Sequence, residues 1–179
     1  MIFFTSDTHF FHYKLIEIGM RPFENVCEMN NTIVNNWNKK VGTEDIVHHL
    51  GDFALTWKKK LIHELVSALN GKIKLIKADH DKPIGKEFSD KIEITDKIVE
   101  IKLGNHPLVL CHYPITFWPK SHYNSWHIHG HTHGRYVHHG KSYDVGVDNT
   151  NFNVISEEEL KNILRNKPDN INKLNKNKK

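Results

Sequence analysis

A chain of 179 residues has room for one domain with a proper core, and its 38% hydrophobic and 26% charged residues are the balance of an ordinary globular protein. No stretch approaches the roughly 20 apolar residues that span a bilayer, so no membrane partner is expected. The formal charge of +4 equals the excess of Lys167, Lys173, Lys176, Lys178 and Lys179 over Asp169 in residues 166–179, which leaves the body neutral and gives it no general basic surface for nucleic acid.

That Asn/Lys-rich segment reads as a frayed tail following a domain of residues 1–165. The N-terminus has neither a basic region nor a small-residue cleavage site, so a cytoplasmic protein is expected. Cys27 and Cys111 lack any partner spacing and read as buried small hydrophobes. Histidine is the anomaly. The chain has 15, seven of them between His122 and His139, and the uses of histidine are metal binding, proton transfer and pH response.

In chain order, residues 1–5 form an apolar run ending at Ser6-Asp7, a buried first strand. Met29, Ile33, Val34 and Trp37 at helical spacing predict an amphipathic helix over 27–38. A second strand over 45–50 ends at Gly51-Asp52. A second helix over 58–69 stops at Asn70-Gly71, and a third strand over 73–77 ends at Ala78-Asp79-His80. This strand–helix alternation implies a partly parallel sheet. The second half is β-rich: strands at 98–103 and 107–111 joined as a hairpin, then strands near 126–129, 135–139 and 143–147. A last helix begins after Ser156, with Glu159 at the capping-box position. The expected class is α/β, two mixed sheets packed as a sandwich and flanked by helices.

Polar residues collect where the strands end: Asp7 and His9, Asp52, Asp79 and His80, His112, then His131 and His133. Strand ends are where the loops of α/β sheets converge. Each cluster alone has a plainer reading. Asp7 and His9 could simply cap a following helix, Asp52 after glycine could be turn chemistry, and His112 could be a satisfied strand-end residue. Their recurrence is harder to ascribe to packing. Asp and His suit borderline divalent metals, and seven candidates exceed the needs of one ion, so two ions sharing a carboxylate are expected.

The pieces Asp7-Thr8-His9, Gly51-Asp52, Asp79-His80-Asp81, His112 and Gly130-His131-Thr132-His133 resemble, in order and spacing, the calcineurin-like metallophosphoesterases. Arg21-Pro22-Phe23, Trp37-Asn38, His49-Leu50-Gly51-Asp52-Phe53 and Val145-Gly146-Val147-Asp148 are similar to small bacterial and phage members. The resemblance implies two divalent ions, manganese or an iron-containing pair, with zinc, nickel or cobalt also compatible. Asp7, His9 and His133 would hold one ion. Asp52 would bridge to the second, which Asp79, His112 and His131 would complete. It implies hydrolysis of a phosphomonoester or phosphodiester, a small molecule or a nucleotide, by in-line attack of a bridging hydroxide, with His80 as general acid. The alternatives are a metal- or phosphate-binding module that has lost catalysis and a nuclease acting on nucleic-acid ends.

Two departures from the family pattern stand out. Asp79 replaces the usual asparagine and adds a negative charge, which predicts tighter metal retention and weaker attraction of an anionic substrate. Leu55 stands where many relatives carry an aspartate that orients the catalytic histidine, leaving Asp81 or a backbone carbonyl to substitute. Arg21 is a candidate phosphate contact, equally readable as a surface arginine before a turn. His127 and His129 alternate with His131 and His133, so an extended strand would put all four on one face. His12, His48, His49 and His122 are candidates for a substrate-pocket border.

Overall fold

The computed structural model describes residues 1–88, 90–137 and 139–174. Ile2–Thr5 (β1) pairs in parallel with Ile46–His49 (β2), β2 with Lys72–Ile76 (β3), and β3 with Ile92–Thr95 (β4). A two-residue strand, Ile155–Ser156, adds antiparallel to the other edge of β1 and completes a five-stranded mixed sheet. The second sheet has four strands. Ile98–Leu103 (β5) and His106–Cys111 (β6) form the expected antiparallel hairpin, and Trp126–His129 (β7) and Ser142–Asp144 (β8) follow in parallel. The class is α/β with two mixed sheets.

Neighbouring side chains of β1 point to opposite faces and enter two different cores. Phe3 joins Val47, Ile73 and Leu75 beneath the helices Val26–Lys40 (α2, after the short α1, Lys14–Glu17) and Lys59–Ala68 (α3). Phe4 joins Ile76, Leu108, Leu110, Trp126 and Ile128, which come from both sheets. Burial on both faces is why β1 reads as an unbroken apolar run. The α2 stripe predicted from spacing is real: Met29, Ile33 and Trp37 are all buried, and the Trp37 indole donates to the Asn70 carbonyl at 2.9 Å. The final helix, Glu157–Asn166 (α4), starts at the expected capping box and sends Leu160 and Leu164 into the second core.

Four expectations need correction. Residues 135–137 form no strand, because the chain turns at Thr132 and Gly134, whose hydroxyl and amide both donate to Asp144; His138 lies outside the described residues. Cys27 is exposed, whereas Cys111 is buried. The tail is not frayed through residue 174: Asn170 is buried, its side chain donating to the carbonyls of Ser121 and Ser125 and accepting from the Lys141 amide. Residues 175–179 lie outside the described residues. Finally, β7 stops at His129, and His131 and His133 have φ of 67° and 49°, so the four alternating histidines do not share a strand face. No described helix is long and apolar enough to cross a membrane.

Candidate metal centre

The parallel strands of both sheets deliver their C-terminal ends to one place. Beyond β1 and β2 the backbone keeps pairing, the Asp7 amide donating to Gly51 O and the His9 amide to Asp52 O. The two sheets are stitched together there as well. Ser6 bridges Gly146 just beyond β8, and the His131 amide donates to both carboxylate oxygens of Asp7 at 3.0 and 2.9 Å. Gly130 is required at this seam, since a Cβ would collide with the Ser6 side chain and the Asp7 carboxylate.

Three groups of ligand atoms result, each with its atoms mutually within 4.8 Å: Asp7, His9 and His133; His9, Asp52 and His80; and Asp52, His112 and His131. His9 and Asp52 each belong to two groups, so the set is continuous, with the Asp52 carboxylate 3.4 Å from His9 Nε2 and 3.7 Å from His112 Nε2. The neighbours of His112 aim its ring. Its Nδ1 lies 2.7 Å from the Leu50 carbonyl, which can only accept, so the proton sits on Nδ1 and the lone pair on Nε2 faces Asp52.

Electrostatics suit cation binding. Burial, followed by the Arg21 charge, holds the His9 imidazole far below its ordinary range, and among the described residues its buried Nε2 has no hydrogen-bond partner. Burial likewise lowers His112. Both rings are therefore neutral, the form that binds metal. Burial pushes the Asp7 carboxyl up to about 7, against the pull of His133, with Asp144 and Asp52 adding to the rise. A buried, mutually repelling carboxylate pair beside an orphaned imidazole nitrogen is the donor set a divalent cation satisfies, and the residues present fit such an ion.

Strain converges on the same residues. Asp7, His9, Asp52, His131 and His133 all have positive φ, between 47° and 67°, at about 1–2 kcal/mol each for L-residues. Left-handed non-glycine backbone collects at functional sites, where the surroundings over-determine it.

Two of the residues singled out from sequence have partners other than the expected ones. Asp79 is exposed, its carboxylate accepting from the Tyr113 hydroxyl at 3.2 Å, and it joins none of the three groups. Arg21 is no phosphate contact, because it is 2% exposed and its guanidinium is taken up by Asp148, the carbonyls of Asp7 and Thr8, and Met29 Sδ. Asp81 accepts from the amides of Asp52, Phe53 and Ala78, so it shapes the backbone around Asp52. Of the border candidates, His12 is at the centre, its Nδ1 3.2 Å from His9 Nδ1 and its ring beside His80. His48 stacks on Phe4, while His49 is buried against Thr8.

Sequence reasoning missed Asp144 and Asp148. Asp144 is fully buried and ties down the loop carrying His131 and His133. Asp148 accepts from His133 Nδ1 at 2.7 Å. The only signal was the stretch Val145-Gly146-Val147-Asp148, to which the motif resemblance attached no chemical role.

Two cavities open beside the centre and share Asp79. One, about 310 Å³, is lined by Leu55, Trp57, His80, Lys82 and Pro83 among others. The other, about 180 Å³, is lined by Lys97, Cys111, His112 and Tyr113 among others.

Fold and site together define a two-sheet α/β protein with an Asp/His centre able to hold metal ions at its sheet ends. The chain belongs to the family of the uncharacterized protein MJ1445 of Methanocaldococcus jannaschii, to which it is 36% identical over 163 residues, covering 87% of this chain and 86% of that protein. It is 28% identical over 178 residues to the Gene 66 protein of Mycobacterium phage L5, covering 81% and 85%. Among solved structures, the protein of unknown function AQ665 from Aquifex aeolicus superposes with a TM-score of 0.71 at 25% identity, covering 91% of this chain and 98% of that one. No family model matches the chain.

Proposed function

We propose that the chain is a metal-dependent phosphoester hydrolase. The observation that carries this reading is the continuous set of three Asp/His groups, which share His9 and Asp52 and are built on strained backbone. Asp7, His9 and His133 would hold one divalent ion and His112 with His131 the second, Asp52 lying between them. Manganese or an iron-containing pair is the expected metal, following the resemblance of the motifs. Such ions supply positive charge against phosphate oxygens and a water made acidic enough to attack near neutral pH.

The chain's own residues do the rest. His80, beside Asp52 and at the edge of the larger cavity, would give a proton to the leaving oxygen. His12 packs against both His9 and His80 and limits their motion. The cavities on either side of Asp79 offer room for one substituent each, which favours a phosphodiester over a monoester. A binding module without turnover is the second reading. It is favoured by Asp79, whose carboxylate rests on Tyr113 outside the ligand groups.

Elemental analysis of purified protein, paired with turnover of bis(p-nitrophenyl) phosphate in manganese, tests both. The expected result is two ions per chain and hydrolysis, with Asp52→Asn weakening metal retention by more than about 100-fold, beyond what losing an outer partner costs. Metal without turnover would support the binding module. A protein that takes up no divalent cation would overturn the proposal.

A further inference from the structure

We infer that Asp148, clamped by Arg21, is the positioning residue for the Asp7–His9–His133 half of the centre. The inference rests on the metal reading above and concerns residues to which that reading gives no role. The Arg21 guanidinium meets Asp148 in two-pronged fashion, Nε to Oδ1 at 2.9 Å and Nη2 to Oδ2 at 2.8 Å. Its remaining N–H groups reach backward: Nη1 donates to the Thr8 carbonyl at 2.8 Å and Nη2 to the Asp7 carbonyl at 2.6 Å. A single planar cation therefore ties the backbone that carries Asp7 and His9 to a carboxylate that lies 127 residues beyond the arginine in sequence.

That carboxylate in turn takes hold of the third ligand. Asp148 Oδ2 accepts from His133 Nδ1 at 2.7 Å, which puts the proton on Nδ1 and leaves the Nε2 lone pair for the centre. His133 stacks on His9, with ring centroids 5.3 Å apart and planes 20° from parallel, so fixing one ring helps to fix the other. Lysine could not replace the arginine, because a point charge cannot grip a carboxylate with two parallel bonds while serving two carbonyls. The strained φ of Asp7 and His9, 55° and 47°, lies on the backbone so held. The burial of Arg21 makes sense in these terms, since a buried guanidinium persists only when paired and fully hydrogen-bonded.

The full-length chain tests this with two readouts. In manganese titrations, Asp148→Asn is expected to weaken one of the two sites by about 10–100-fold, the usual effect of removing an outer partner of a metal-bound histidine, while the Asp52–His112–His131 site stays within about threefold. In metal-free protein at alkaline pH, the ¹⁵N shifts of His133 should report the Nδ1–H tautomer in the wild type and a tautomer mixture in the variant. Should Asp148→Asn fail to fold, Arg21→Lys takes its place, with the same direction expected in both readouts. Unchanged affinities at both sites together with an unchanged His133 tautomer would overturn the inference. A wild type that binds no metal would instead sink the phosphoesterase reading, and the tautomer measurement would still decide the role of Asp148.

Discussion

Asp79 is the residue whose sequence reading changes most once its surroundings are known. As an added ligand charge it implies tighter metal retention, yet its carboxylate accepts from Tyr113 and borders both cavities. Under the proposed function, the charge would bear on the substrate more than on the ions. Asp79→Asn is expected to leave metal content unchanged and to lower KM for an anionic phosphodiester by a factor on the order of five, the effect of about 1 kcal/mol of repulsion between partly solvated charges. Steady-state kinetics alongside elemental analysis would check it; a loss of metal would return Asp79 to the ligand set. Arg21 makes the complementary point. Its side-chain chemistry suits phosphate, but burial beside Asp148 directs that chemistry inward.

At the scale of an element, β2 shows what a buried strand costs when it carries histidine. His48 sits between Phe4, on which it stacks, and the Lys74–Glu93 pair on the neighbouring strands. Burial, reinforced by the Lys74 charge, lowers its pKa to about 4. The unfolded chain takes up the His48 proton near pH 6.5 and the folded chain only near 4, so the unfolded state binds more protons between those values. Stability is thus complete above about pH 6.5 and falls as pH drops toward 4, by up to roughly 3 kcal/mol from this group. His48→Gln, which cannot titrate, should flatten that part of the acid limb in urea denaturation at stepped pH. An acid limb identical to wild type would show that other groups carry it.

For the whole molecule, the centre doubles as the seam between the two sheets, held by Asp7, Gly130 and the Ser6–Gly146 bridge. Buried carboxylates and an unpartnered imidazole nitrogen at that seam are a burden without a cation. Metal at 100 times its Kd would add about 2.7 kcal/mol of stability. Chelation should then lower Tm by roughly 5–10 °C for a chain of this size, and refilling with manganese should restore it. A Tm indifferent to chelator would mean that the seam needs no ion. The α/β class, the helix stripe of Met29, Ile33 and Trp37, and the capping box at Ser156 were legible in the sequence because they follow from local periodicity and short-range hydrogen bonding. So were the strand-end residues, which polar clusters after apolar runs expose without any knowledge of packing. Contacts across long sequence separation were not legible: the return of residues 167–174 onto the Ser121–Ser125 segment, the turn at Thr132 and Gly134, tied to Asp144, that displaced an expected strand, and the inward use of Arg21. In each of these a polar group's partner lies far along the chain, and side-chain type alone cannot say whether that partner is water, substrate or another part of the same protein. Local pattern determined which residues could do chemistry; only the tertiary structure decided which of them meet, because burial and the direction of each hydrogen bond are set by the packing of both sheets together.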